Sequence, residues 1–280
     1  MDLDQCTPDN LSVPFLARDR ASPQQVHNVK RVLITAGASG IGLAIARKFA
    51  STGAKVHVCD IDESCLAALG SEPFPISGTL CDVADRRAVE GMMRQAVQVL
   101  GGIDVLVNNA GIAGPTGRVD HIDVDQWDRT LSVNITGQFN VTRLAIEHLQ
   151  KGRDPSIICI SSVAGRLPYP NRSAYAASKW AVVGFAKTLA VELGALGIRV
   201  NAVLPGMVDG ARLQLVLEAK ARESDLPREE ILMRGLAGVS IKSLVTADDI
   251  AGTVLFLASD AARAISGQAL GVDNDVQYMA

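Results

Sequence analysis

The five cysteines of this chain (Cys6, Cys59, Cys65, Cys81 and Cys159) are odd in number and none shows C-x-x-C spacing. Neither a disulfide framework nor a thiolate metal site is therefore expected. Cys59, Cys81 and Cys159 sit in apolar runs, where a thiol behaves as a small hydrophobe. The four histidines lack metal-ligand spacing too: His57 falls in an apolar run, and His27, His121 and His148 read as surface positions. No metal is expected and no histidine is assigned to catalysis. Long apolar stretches are missing as well, since a bilayer crossing takes ~20 residues. No charge of one sign dominates: 27 basic residues face 30 acidic ones, for a formal net charge of −3. That balance gives no electrostatic reason to expect nucleic acid or an anionic membrane as partner. The first residues include Asp2, Asp4 and Asp9 and no basic-then-apolar pattern, which argues against a secretory or transit peptide. A reduced, cytoplasmic chain is the expectation.

What is present begins at about residue 29. Residues 1–28 are polar, carry Pro8, Pro14 and Pro23, and show no sustained period, so they read as a flexible or surface-lying extension. Beyond them, short apolar runs at 31–35, 55–59, 103–107, 156–160, 199–203 and 268–272, with a weaker one at 79–81, alternate with helical patterns at 41–52, 85–100, 124–150, 173–193 and 247–259. Asp85 suits an N-cap, Val89, Met92, Met93, Ala96 and Leu100 share a face, and Gly101-Gly102 closes that helix. Strand and helix in repeated alternation predict an α/β, doubly wound Rossmann-type parallel sheet with helices on both faces. A single domain over 29–280 accounts for it.

The first strand runs into Thr35-Ala36-Gly37-Ala38-Ser39-Gly40-Ile41-Gly42, directly before a helical pattern. Glycines at such a turn let backbone approach a pyrophosphate, which the helix N-terminus stabilises. The second strand ends at Asp60, about the ~20 residues onward at which an acidic side chain takes the adenosine ribose hydroxyls. A carboxylate there repels a 2′-phosphate, and no Arg or Lys lies in 36–39 or directly after Asp60, so NAD is favoured over NADP.

Further along, Tyr175 and Lys179 are four apart in an alanine-rich helical run and so share one face. A phenol is a poor base near neutrality, with an unperturbed pKa of ~10, and a neighbouring ammonium favours its phenolate. The pair therefore suits general acid/base work.

In chain order these pieces are the glycine turn, Cys81-Asp82-Val83, Asn108-Asn109-Ala110-Gly111, Asn134, Ser161-Ser162, Tyr175-x-x-x-Lys179 and Pro205-Gly206. Over roughly 29–272 the chain resembles the short-chain dehydrogenase/reductase family. The resemblance implies a catalytic set of Asn134, Ser162, Tyr175 and Lys179. Tyr175 would exchange a proton with the substrate oxygen, and Lys179 would assist it and hold the nicotinamide ribose. Ser162, thirteen residues before Tyr175, would bond the reacting oxygen, with Ser161 as the adjacent alternative. Asn134 would anchor a water that relays protons to Lys179; its other reading is a helix kink held by side chain–backbone bonds. The implied cofactor contacts are Gly37, Ser39, Gly40, Ile41, Asp60, Ile61, Asp82, Val83, Asn109, Ala110, Gly111, Tyr175, Lys179, Pro205, Gly206 and Val208. Asn108 and Asn109 read equally as structural groups satisfying neighbouring backbone.

Three positions depart from the family pattern. Ala36 replaces its first glycine, which is tolerable where the local φ is negative. Gly210 stands where a nicotinamide-contacting threonine is common, and Asn274-Asp275 where a glycine pair is. The segment 207–240 reads as a helix, a break at Pro227 and a second helix, suited to a substrate lid. Arg212, Arg166, Tyr169 and Arg172 are candidates to meet substrate, Arg212 an anionic one. Trp180 points away from the catalytic face, toward the core or a subunit interface. The family habit of pairing helices such as 124–150 and 173–193 implies a homotetramer.

The expected function is an NAD(H)-dependent oxidoreductase acting on a small-molecule secondary alcohol or ketone. The alternatives are an NADPH-dependent 3-oxoacyl thioester reductase and a non-catalytic nucleotide-binding scaffold.

Overall fold

The computed structural model describes residues 29–279, and the extension expected over 1–28 lies outside the described residues. Alternation of period two governs the sheet. In β1 (Arg31–Thr35), Val32 and Ile34 face one side and Leu33 the other. Behind β1, α1 (Gly40–Ala50) leads to β2 (Lys55–Asp60), then α2 (Glu63–Ala68) to β3 (Ile76–Leu80). The second half repeats the scheme through α3 (Arg86–Leu100), β4 (Val105–Asn108), α4 (Val124–Leu131), α5 (Gly137–Gln150) and β5 (Ser156–Ile160). It finishes with α6 (Ser173–Gly194), β6 (Arg199–Pro205), α7 (Ala211–Ser224), α8 (Arg228–Ala237), α9 (Ala247–Leu257) and β7 (Ala269–Val272).

All seven strands are parallel, in the order β3-β2-β1-β4-β5-β6-β7. The strand order reverses direction between β1 and β4, the point at which open α/β sheets form a crevice. Helices α3, α5 and α6 pack on one face with Leu33, Leu106, Ile157 and Val200; α1 and α9 pack on the other with Ile34, Val58, Val107 and Val203. Strand residues buried from both sides explain why the runs read as continuously apolar.

Local signals set the boundaries. Asp85 caps α3 by accepting from the Arg87 and Ala88 amides, and Gly101 ends it at φ +77°. Thr246 and Asp249 form a reciprocal capping box at the start of α9. The expected strand at 103–107 is β4 from Val105, and just before it the Asp104 carboxylate takes the Arg31 amide and guanidinium. The weak run at 79–81 overlaps the end of β3 at Thr79 and Leu80, and Ser77 and Gly78 hid its start. The expected helix over 124–150 is three pieces: α4, a π-helical turn at Ser132–Thr136, and α5. Trp180 lies outside the core of this chain at 51% exposed.

Among the described residues no helix is long and apolar enough to cross a membrane, and no cluster of His, Cys, Asp or Glu could hold a metal ion.

Candidate active site

The carboxyl ends of β1, β2, β4, β5 and β6 surround one cavity of ≈ 540 Å³, inside the range of about 300–1,000 Å³ typical of small-molecule sites. Its first wall is the turn after β1. The Thr35 hydroxyl accepts from the Asn109 and Ala110 amides, each at 2.9 Å, and the Asn109 amide donates to the carbonyls of Thr35 and Ala36 at 3.0 and 2.9 Å. Asn108 donates to Thr142 at 2.8 Å. Asn109 is thus the strut that joins β4 to the glycine turn, while Asn108 ties β4 to α5. A side chain at Gly42 would collide with the Ala36 carbonyl. Ser39, Gly40 and Ile41 line the cavity at the start of α1, where free amides favour an anion.

Two expectations need correction here. Ala36 has φ +49°, in the left-handed region, so its methyl is strained by roughly 1–2 kcal/mol; the condition of a negative φ is not met. Gly37 does not line the cavity. A side chain there would strike Val58, so this glycine serves close packing of the turn on β2.

Asp60, 7% exposed, caps the end of β2. One carboxylate oxygen accepts from the Ala38 amide at 3.1 Å and the other from Ile61 and Asp62 at 2.8 and 3.3 Å. Ile61, Asp82, Val83, Ala110 and Gly111 complete this end. Asp82 also receives Arg129 at 2.8 Å, a partner the sequence gave no reason to expect. Among the described residues lining this end Arg129 is the one cation, and its charge is spent on Asp82.

At the other end α6 presents Tyr175 and Lys179 one turn apart, the Lys179 ammonium 5.7 Å from the tyrosine ring centre. Lys179 is 3% exposed and donates to the Ile160 carbonyl at the tip of β5, at 3.0 Å. Burial, helped by the Arg212 charge, pushes its pKa down to about 7. Ser161 donates to the Lys179 carbonyl at 2.8 Å, whereas the Ser162 hydroxyl, at the start of the turn Val163–Gly165, accepts only the Ala164 amide at 3.2 Å. Both line the cavity, but Ser161 has a structural bond for its proton and Ser162 keeps its own.

Asn134 is fully buried and does not line the cavity. It accepts from the Ile112 amide at 2.7 Å and donates to the Ile112 carbonyl and the Ser178 hydroxyl, both at 3.0 Å. These are the side chain–backbone bonds of the helix-kink reading, and Asn134 lies inside the π-helical turn Ser132–Thr136. The same amide oxygen and the Lys179 ammonium lie 3.2 and 3.3 Å from where a side chain on Gly111 would begin.

Pro205, Gly206 and Val208 form the wall beyond β6, with Val208 bridged to Val245. Helices α7 and α8, separated at Pro227 as expected, close the far side with Leu213, Val216, Leu217 and Ile231. Gly210 is the residue before α7, at φ +145°, and offers no side chain. Arg212 reaches back to the Gly111 carbonyl at 2.7 Å. Arg166 turns instead to Asp273 at 2.6 Å, away from catalysis. Asn274 and Asp275 both have left-handed φ, of +57° and +60°, which explains a preference for glycine there. Asparagine and aspartate are the side chains that best tolerate it. The C-terminal residues Tyr278 and Met279 also line the cavity, which nothing in their composition signalled.

Comparison with known proteins agrees with this geometry. The family model described as enoyl-(acyl carrier protein) reductase matches residues 35–275. The chain is 38% identical over 248 residues to the 3-oxoacyl-acyl-carrier-protein reductase FabG of Thermotoga maritima, covering 87% of this chain and 96% of that one. It is 33% identical over 248 residues to human dehydrogenase/reductase SDR family member 4, covering 87% and 86%. Among solved structures, NAD+-bound xylitol dehydrogenase superposes with a TM-score of 0.82 at 28% identity, over 87% of this chain and 97% of that one. The actinorhodin polyketide ketoreductase solved with NADPH also gives 0.82, at 34% identity, over 88% and 96%.

Proposed function

Because the chain belongs to the short-chain dehydrogenase/reductase family of oxidoreductases, we propose that it interconverts a secondary alcohol and a ketone with NAD(H). The observation that carries the reaction is the convergence of Ser162, Tyr175 and buried Lys179 where β5 and α6 meet the cavity. When bound, the nicotinamide would supply or accept the hydride. In the direction of oxidation, Tyr175 takes the hydroxyl proton of the substrate. Ser162 donates to the same oxygen and orients it, and Lys179, one turn from Tyr175, holds the nicotinamide ribose. Asn134 fixes the loop that carries Gly111 and Ile112 against Lys179 and anchors the water that returns the proton.

The residues fit a dinucleotide. The helix start at Ser39, Gly40 and Ile41 suits its pyrophosphate, Asp82 and Val83 its adenine, and the loop at Asn109, Ala110 and Gly111 its middle. Asp60 supports NAD over NADP: its carboxylate, held at the end of β2 by three amides, would repel a 2′-phosphate with no free cation beside it. The similarity to FabG keeps one second reading, an NADPH-dependent reductase of 3-oxoacyl thioesters.

The free thiols Cys59, Cys65, Cys81 and Cys159 support a reducing compartment, the cytoplasm. Homotetramer assembly through α5 and α6 completes the proposal.

Titration with NADH and NADPH, followed by nicotinamide fluorescence, is the test. Tight NADH and weak NADPH binding is expected; the reverse would move the thioester reductase ahead. Tyr175→Phe should lose ~10²–10⁴-fold in turnover yet bind NADH as before. Turnover unaltered by that change would remove the catalytic reading and leave a nucleotide-binding scaffold.

A further inference from the structure

The substrate end of the cavity contains a buried guanidinium without a counter-ion. Arg172 lies in the loop just before α6 and is 2% exposed. One terminal nitrogen donates to the Ala113 carbonyl at 2.7 Å, while Nε is buried with no partner. Among the described residues no carboxylate forms an ion pair with it. Its planar group lies against two phenol rings, 5.4 Å from the centre of Tyr169 and 5.3 Å from that of Tyr175. The second ring belongs to the residue assigned the proton transfer.

Two further cations approach from α7. The Lys220 ammonium sits 4.6 Å from the Tyr169 ring centre, and Arg212 spans to the Gly111 carbonyl. Burial and the Arg172 charge push the Lys220 pKa down to about 8, so the two cations sense each other. The carboxylates on the cavity do not offset the Arg172 charge. Asp60 and Asp82 are at the adenosine end, bonded to backbone amides and to Arg129, and Asp209 is an exposed residue ahead of α7. A buried cation with an unmet donor is costly and persists where something compensates it.

We propose that the substrate carries an oxyanion, a carboxylate or phosphate, within a few bonds of the reacting carbon, and that Arg172 selects it. The proposal rests on the oxidoreductase reading above and narrows its substrate to hydroxy or oxo anions. Lys220 adds charge from the lid and Arg212 closes the lid over the anion. A 3-oxoacyl thioester offers only neutral acceptors at the same position and leaves the Arg172 charge without a counter-ion, so the buried guanidinium argues for the anion over it.

The test is calorimetric titration of the full-length protein, with and without NADH, using acetoacetate, its methyl ester and inorganic phosphate as probes. Acetoacetate or phosphate should bind more tightly than the ester, and which of the two binds identifies the oxyanion. Arg172→Met should weaken the anion about 100-fold and leave the ester unchanged. Arg172→Lys should recover part of the loss, because the charge remains and the planar fork does not. Lys220→Met, on a more exposed helix, should lower the anion-to-ester ratio even where the Arg172 variants fold poorly. Preference for the ester, equal weakening of both probes by Arg172→Met, or no anion binding to protein that binds NADH would each overturn the proposal. Failure to bind NADH itself would instead count against the oxidoreductase reading, since the anion titration without NADH reads the cation cluster alone.

Discussion

Lys179 shows how a single residue trades stability for chemistry. Its ammonium is enclosed beneath Gly111 with one carbonyl to bond, and burial brings its pKa down from 10.5 to about 7. The unfolded chain therefore holds a proton between pH 7 and 10.5 that the folded chain has released, so stability rises with pH across that window. Below pH 7 both states are protonated and the burial penalty is felt in full. Lys179→Met should accordingly abolish turnover while stabilising the fold by about 1–2 kcal/mol at neutral pH. The gain should shrink as pH approaches 10.5; thermal melts of both proteins at pH 6.5 and 10 measure it. A variant less stable than wild type at pH 6.5 would contradict the argument. The Tyr175–Lys179 pair was legible in the sequence because helical spacing alone puts both on one face. The strain at Ala36 and the burial of Arg172 were not. A backbone angle and a loop arginine's depth depend on contacts made by residues far along the chain, such as Asn109 and Ala113.

At the scale of the element, periodicity revealed nearly every strand and helix, since burial on one or both faces writes itself into the sequence. It missed the π-helical turn at Ser132–Thr136, whose Asn134 bonds to Ile112 and Ser178, far from it in sequence. It also gave no account of His57. This ring is buried between β2 and β3, its two nitrogens 2.8 Å from the hydroxyls of Ser77 and Thr79. Burial lowers its pKa from 6.5 to about 4. The unfolded chain gains a proton below pH 6.5 that the folded chain refuses until about pH 4, so stability falls as pH is lowered through that interval. The loss is at most about 3 kcal/mol. Denaturant melts of the wild type and His57→Gln at pH 7 and 4.5 should show the variant losing less stability on acidification. Equal losses in the two proteins would assign the acid sensitivity to other groups.

For the whole molecule, the two helical layers differ in what they leave uncovered. The layer of α3, α5 and α6 places Phe139, Trp180 and Val191 outward, with Trp180 51% and Val191 83% exposed. Large apolar side chains grouped on neighbouring helices mark an association surface more often than isolated ones do. Trp180 follows Lys179 on α6 and so points away from its face, and the fold leaves it exposed rather than in the core. An isologous contact across α5 and α6 would cover these residues and stiffen the helix that carries Tyr175 and Lys179. Replacing Trp180 with glutamate puts a charge into that contact without touching the cavity. Sedimentation velocity at micromolar concentration should show wild-type tetramers and smaller Trp180→Glu species, with NADH affinity retained in both. A monomeric wild type, or a variant that stays tetrameric, would send the assembly surface elsewhere on the molecule.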